Sequence, residues 1–152
     1  MRRLVLASAL ILLSTAGSFA ATTNVTFSGT LGTSCALSLS IPGILALSGD
    51  GLTLGSDQVG GVAATVAVVS VGSNTITVNP PTLTSSPGSY NTSGQQLWVA
   101  YSGLGANTQG YTTSVTSFQT ALTAIMTVNN KITNASGFAA GTYNTQTVVT
   151  CS

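Results

Sequence analysis

Histidine is absent from this chain, and beyond residue 20 only three side chains carry charge: Asp50, Asp57 and Lys131. Besides its tyrosines, the chain's other titratable or ligating groups are two cysteines, Cys35 and Cys151. Proton transfer, metal ligation and the steadying of developing charge need groups that this set scarcely supplies. Asp50 and Asp57 bracket the stretch D-G-L-T-L-G-S-D, which lacks the carboxylate density and spacing of a calcium loop, so turn formation accounts for both. As a glycosidase carboxylate pair they would lack other polar chemistry beside them. A nucleophile would need Lys131 or an aspartate as its base, and the sequence places no partner near either. Two thiols with neither histidine nor nearby carboxylates cannot complete a metal shell, and nothing basic close in sequence activates them. The expectation is a protein that is not an enzyme and holds no metal or cofactor.

Residues 1–20 read as a secretory signal peptide. Arg2 and Arg3 form a positive start, Leu4 to Leu13 an apolar run, and Ser18-Phe19-Ala20 a small-x-small cleavage site. The apolar run is too short for a comfortable membrane span, and no later segment is long enough. Cleavage leaves about 130 residues, one domain's worth. It also removes both arginines, leaving one lysine against two aspartates, a side-chain net of −1. No basic patch remains to hold phosphates, so nucleic acid is excluded as an expected partner. So little charge barely opposes self-association. In an oxidising compartment the two cysteines have one intramolecular pairing, Cys35 with Cys151.

The elements that must position these residues are strands. Val25, Phe27, Gly29 and Leu31 alternate with polar residues, and Cys35, Leu37 and Leu39 continue the period after a Gly32-Thr33-Ser34 break. Residues 62–79 read as a β-hairpin turning at Gly72-Ser73-Asn74, stopped by Pro80-Pro81, which donates no N–H. Leu97 to Tyr101 is a strand and Gly103 to Gly110 a loop. Trp98 and Tyr101, three apart, point to opposite faces, with Trp98 expected in the core. Ala121 to Val128 has some helical composition, but Thr123, Ile125, Thr127 and Val128 favour strand. Asn129-Asn130 reads as a turn before Ile132. Thr142 to Cys151 alternates again. Seven or eight short strands in one domain point to an all-β sandwich.

Other candidate sites are weaker. Tyr90, Tyr101, Tyr111 and Asn107 could line sugar-binding loops, although polar loops on any sandwich look the same. Asn24, Asn91 and Asn134 fit the N-glycosylation pattern, which arises often in a chain so rich in Asn and Thr.

The segment V-T-F-S-G-T-L-G-T-S-C, Val25 to Cys35, resembles the start of chaperone–usher pilins. The closing A-G-T-Y-N-T-Q-T-V-V-T, Ala140 to Thr150, resembles the last strand of those pilins and of spore coat protein U domains. The resemblance implies an incomplete Ig-like sandwich over residues 35–152, lacking one strand. Residues 21–34 would be an N-terminal extension that fills the gap in the next subunit, strand added to an open sheet edge. Val25, Phe27 and Leu31 would enter pockets in that neighbour, and Gly29 would sit where its groove is shallow. The implied function is a structural subunit of a bacterial surface fibre with a role in adhesion. Its implied partners are copies of itself or related pilins, with a periplasmic chaperone and an outer-membrane usher. One departure is the second cysteine, which pilins place soon after the first and which here lies one residue from the C-terminus.

A Cys35–Cys151 bridge admits two arrangements, since it requires only that the Cα atoms lie within roughly 7 Å. If Cys35 to Ser40 runs antiparallel to Thr142 to Cys151, residues 21–34 project beyond the fold and are free to donate. If residues 25–35 run parallel to 141–151, the chain completes its own sandwich. That second arrangement gives a self-complemented secreted domain, a monomeric adhesin or coat protein.

Overall fold

The computed structural model describes residues 26–30 and 32–152. The signal-peptide assignment, and Val25 and Leu31 of the proposed donor segment, lie outside the described residues. Among those described, every regular element is a strand and all pairing is antiparallel.

One layer contains β1 (Ser34–Ile41), β4 (Ala64–Val71), β10 (Ala124–Thr133), β7 (Gln96–Leu104) and β8 (Ala106–Thr112), hydrogen-bonded in that order. Along its other edge β10 pairs first with β4, through Ala124–Val128, and then with β3 (Thr53–Gly55), through Lys131–Thr133. The two-residue β2 (Ala46–Leu47) lies outside β3. The facing layer is built on β5 (Asn74–Val78), flanked by β9 (Thr116–Thr120) and β12 (Val149–Cys151). Beyond Pro80-Pro81 the chain resumes as β6 (Thr82–Ser85), which pairs with β11 (Asn144–Gln146). The two prolines therefore break one long pairing of 74–85 with 144–151 into halves, as missing N–H donors require.

Period-two alternation fills the space between the layers. Val68, Val99, Tyr101, Met126 and Val128 point in from one layer, and Ile76, Val78 and Phe118 from the other. The Tyr101 and Phe118 rings meet across the layers with centroids 5.6 Å apart. The structure is thus an all-β sandwich around a single apolar core. A Cys35–Cys151 disulfide, with Cα atoms 6.1 Å apart, joins β1 in one layer to β12 in the other.

Three expectations need correction. Residues 62–79 are not a hairpin: β4 pairs with β1 and β10, whereas β5 pairs with β9 and β12 in the opposite layer. Gly72, at φ +77°, turns the chain across the sandwich. Asn74 holds that corner, its buried Nδ2 donating to Ser70 Oγ at 2.7 Å, Val71 O at 3.1 Å and Ser34 O at 3.1 Å. The loop expected over Gly103 to Gly110 is instead a hairpin joining β7 to β8 through Gly105, at φ +72°. Asn129-Asn130 is not a turn but the middle of the ten-residue β10. Both asparagine side chains find acceptors or donors across strands there, which removes the local advantage of turning.

The disulfide closes a 116-residue loop. Replacing Cys151 by Ser is expected to cost about 3 to 5 kcal/mol, mostly through the freer unfolded chain. A guanidinium melt showing an unchanged midpoint would count against that role for the bridge.

Candidate functional site

From Tyr143 to Cys151 the last strand alternates without a break. Tyr143, Thr145, Thr147, Val149 and Cys151 are half-buried, and the even-numbered residues between them are exposed. Its main chain bonds to one side only. Ser152 exchanges both hydrogen bonds with Thr75, at 2.6 and 3.0 Å, and Val148 O accepts from Asn79 N at 3.0 Å. In antiparallel geometry the alternate residues Val149 and Cys151 then aim their N–H and C=O groups away from β5. No strand pairs with that edge among the described residues. On the opposite layer β1 is likewise an edge, paired with β4 alone.

Between these two unpaired edges lies a groove of about 580 Å³. Leu39 and Pro42 form one lip, Tyr143 to Val149 the other, and Ala64, Val66, Val128 and Asn130 the floor. Cys35 and Cys151 close one end. With the chain running from Cys35 to Pro42 on one lip and from Tyr143 to Cys151 on the other, the two strands are antiparallel. That is the first of the two arrangements the disulfide allowed. Along the inward row of β1, Cys35 and Leu37 are half-buried but Leu39 is 64% exposed, and a bulge beyond it turns Ile41 to the other face, opposite Thr65. Apolar side chains that alternate towards a core and yet meet water mark a place where the sandwich lacks cover.

The N-terminal extension does not supply that cover. Thr26 to Thr30 form no strand and are exposed, Phe27 at 93%. No atom lies within 4 Å of where a Cβ on Gly29 would stand. The root of the extension is fixed at the stapled end, where Asn74 bonds Ser34 and Thr33 lies against Gly72.

At mid-length the groove floor turns polar. Asn130 Nδ2 donates to Thr145 Oγ1 at 3.2 Å, and Thr147 Oγ1 donates to Asn130 Oδ1 at 2.8 Å. This rung spans the two layers. The Asn130 amide nitrogen donates in turn to Ser56 Oγ at 3.1 Å, and Ser56 Oγ to Asn129 Oδ1 at 2.9 Å. At the open end Tyr143 meets Tyr90 and Phe138 edge-on, at 5.0 and 5.5 Å, while those two stack at 5.5 Å. Asn134 Nδ2 donates to the Tyr90 hydroxyl at 3.0 Å and to Asn91 O at 2.8 Å. The aromatic cluster thereby sets where the last strand begins.

The remaining candidates fall elsewhere. Trp98 is not in the core: it shares the outer face with its cross-strand neighbour Lys131, and Tyr101 takes the core position instead. Lys131 Nζ lies 3.6 Å from the centroid of the Tyr111 ring. Burial, and then the nearby Asp57 carboxylate, push the Tyr111 phenol far above its ordinary range. Burial works against the charge on Asp57, but Gln58, Tyr111 and Lys131 outweigh it and hold that carboxyl below the usual carboxylate range. Asp50 accepts from Ser48 Oγ and from Leu52 N, as a turn-forming aspartate does. The sugar-binding set is not assembled, because Tyr90 and Tyr101 are buried and Asn107 lies exposed on β8. Asn134 is 2% exposed, which leaves no room for a glycan.

No family model, curated protein or solved structure matches this chain. The groove and the rung across it are therefore read on their own geometry.

Because Tyr111 ionises only well above the ordinary phenol value of 10.0, any stability tied to its neutral form is present below that value and lost above it. Replacing Tyr111 by Phe should leave the tyrosinate absorbance gained up to about pH 10.5 unchanged. A loss of one tyrosine's amplitude in that range would mean that Tyr111 titrates freely.

Proposed function

We propose that this protein is a structural subunit of a bacterial surface fibre, with a role in adhesion, and polymerises by donor-strand exchange. In this reading the domain is an incomplete Ig-like sandwich of the pilin or spore coat U type, exported through the periplasm. Residues 21–34 of one subunit fill the groove of the next. A periplasmic chaperone and an outer-membrane usher are the assembly partners that the resemblance suggests.

One observation carries the reading: an uncovered apolar groove between two unpaired edges, in a chain whose exposed N-terminal segment has the pattern to fill it. Val25 to Leu31 spans six strand steps, about 20 Å, as does the accepting lip from Tyr143 to Val149. Main-chain bonds to the free edge at Val149 would supply affinity, and alternate side chains would supply register. The low charge of the mature chain leaves little repulsion between copies.

Exported protein run in SDS without boiling should form a ladder that collapses to monomer on boiling. A single monomer band in both lanes would move the reading to a self-complemented adhesin or coat domain. Replacing Phe27 by Asp should abolish the ladder while leaving the disulfide-bonded core folded, because a charge would be carried into an apolar groove. Fibres that form normally from that variant would overturn the assignment of residues 21–34.

A further inference from the structure

We propose that the outer face of the larger layer binds a neutral sugar ring, stacked on Trp98 and hydrogen-bonded between Lys131 and Asp57. This names a receptor chemistry for the adhesion role proposed above and rests on that part of the reading alone. The groove and the donor strand take no part in it.

Trp98 is the only tryptophan in the chain, and it lies half-buried on a solvent-facing sheet instead of filling the core. Its Nε1 donates to Thr133 Oγ1 at 3.2 Å, two residues along β10 from its cross-strand neighbour Lys131. A threonine side chain is short, so the indole edge that reaches it is drawn down across β10 and held in one orientation. Such a ring is ordered before any ligand arrives, which makes it a stacking platform. Beside it stand two of the three side chains that carry charge beyond residue 20. Lys131 Nζ lies 3.6 Å from the centroid of the Tyr111 ring, whose phenol end lies beside Asp57. Asp57 is exposed and accepts from Gln58 Nε2 at 3.0 Å.

The chemistry of this set selects its ligand. The two charges cancel, so neither an anion nor a cation gains by approaching, and the Tyr111 face that would seat a cation already holds Lys131. An apolar segment laid over the indole would take Lys131 and Asp57 out of water without offering either a partner. A pyranose avoids both penalties. Its C–H face covers the indole, while its hydroxyls both accept and donate. The ammonium over Tyr111 has three donors to offer such hydroxyls, and the Asp57 carboxylate accepts from them.

The test uses the full-length mature chain with its disulfide intact. Because Trp98 is the only indole, tryptophan emission reports on the site directly. Mannotriose, galactotriose, maltotriose and tri-N-acetylchitotriose are titrated in turn, with trigalacturonate as the anionic comparison. At least one neutral trisaccharide should shift the emission saturably, with a Kd of roughly 0.1 to 10 mM. Trigalacturonate should bind at least about tenfold more weakly than the best of them, since its carboxylates meet Asp57. Asp57→Ala should weaken that saccharide about tenfold. Trp98→Ala, checked by far-ultraviolet dichroism and followed by saturation transfer to the saccharide's own protons, should abolish binding. No saturable response to any of the four neutral saccharides would overturn the site. So would binding that survives Trp98→Ala, or trigalacturonate binding as tightly as the neutral sugars. Each of these failures leaves the fibre reading standing, because the SDS ladder tests that separately. The titrations of the native chain decide the matter even if a variant does not fold.

Discussion

Everything in this fold follows from two edge strands that lie side by side in different sheets without bonding one another. β1 and the last strand are joined covalently through Cys35 and Cys151 at one end and diverge from there. Because both keep one side of their main chain unpaired, the domain carries two rows of exposed donors and acceptors flanking apolar floor. An open edge is a hazard that most β-proteins blunt with charge, proline or a covering loop. Here the described residues carry only Asp50, Asp57 and Lys131, so charge does not blunt these edges and the groove between them stays open.

Within that frame the polar contacts do distinct work. Asn74 fixes the corner at which the chain crosses from one layer to the other and tethers Ser34, so the extension always leaves from the stapled end. Tyr90, Phe138 and Tyr143 pin the opposite end, where the last strand begins. Asn130 ties the layers in the middle. Held by the aromatic cluster at one end and by Asn130 at mid-length, the last strand keeps its shape along the groove.

Much of this was legible in the residues. Alternation identified the strands that carry the two cysteines, though Thr26 to Thr30, which also alternate, form none, and the pairing of two cysteines in a chain expected to be exported pointed to the staple. Periodicity, however, reports two faces of a strand and not which one meets the core. Trp98 and Tyr101 were correctly set on opposite faces, yet the tryptophan took the outer one beside Lys131. For the same reason residues 62–79 looked like a hairpin: two apolar-alternating strands around Gly72 read alike whether they pair or cross between sheets. Asn129 and Asn130 carry turn chemistry in isolation, and only partners 15 to 74 residues away in sequence hold them in a strand. The groove itself left no signature of its own, because it is made of what two distant strands fail to cover.

The staple also has a mechanical meaning. The extension leaves the domain at Ser34, one residue before Cys35, and the last strand, the groove's other lip, ends at Cys151. Tension applied between the extension and that lip passes from Ser34 through one sulfur–sulfur bond into the last strand. The 115 residues between the two cysteines lie outside that path. A chain of such domains under load would stretch its short covalent links while the hydrogen-bonded sheets stayed slack.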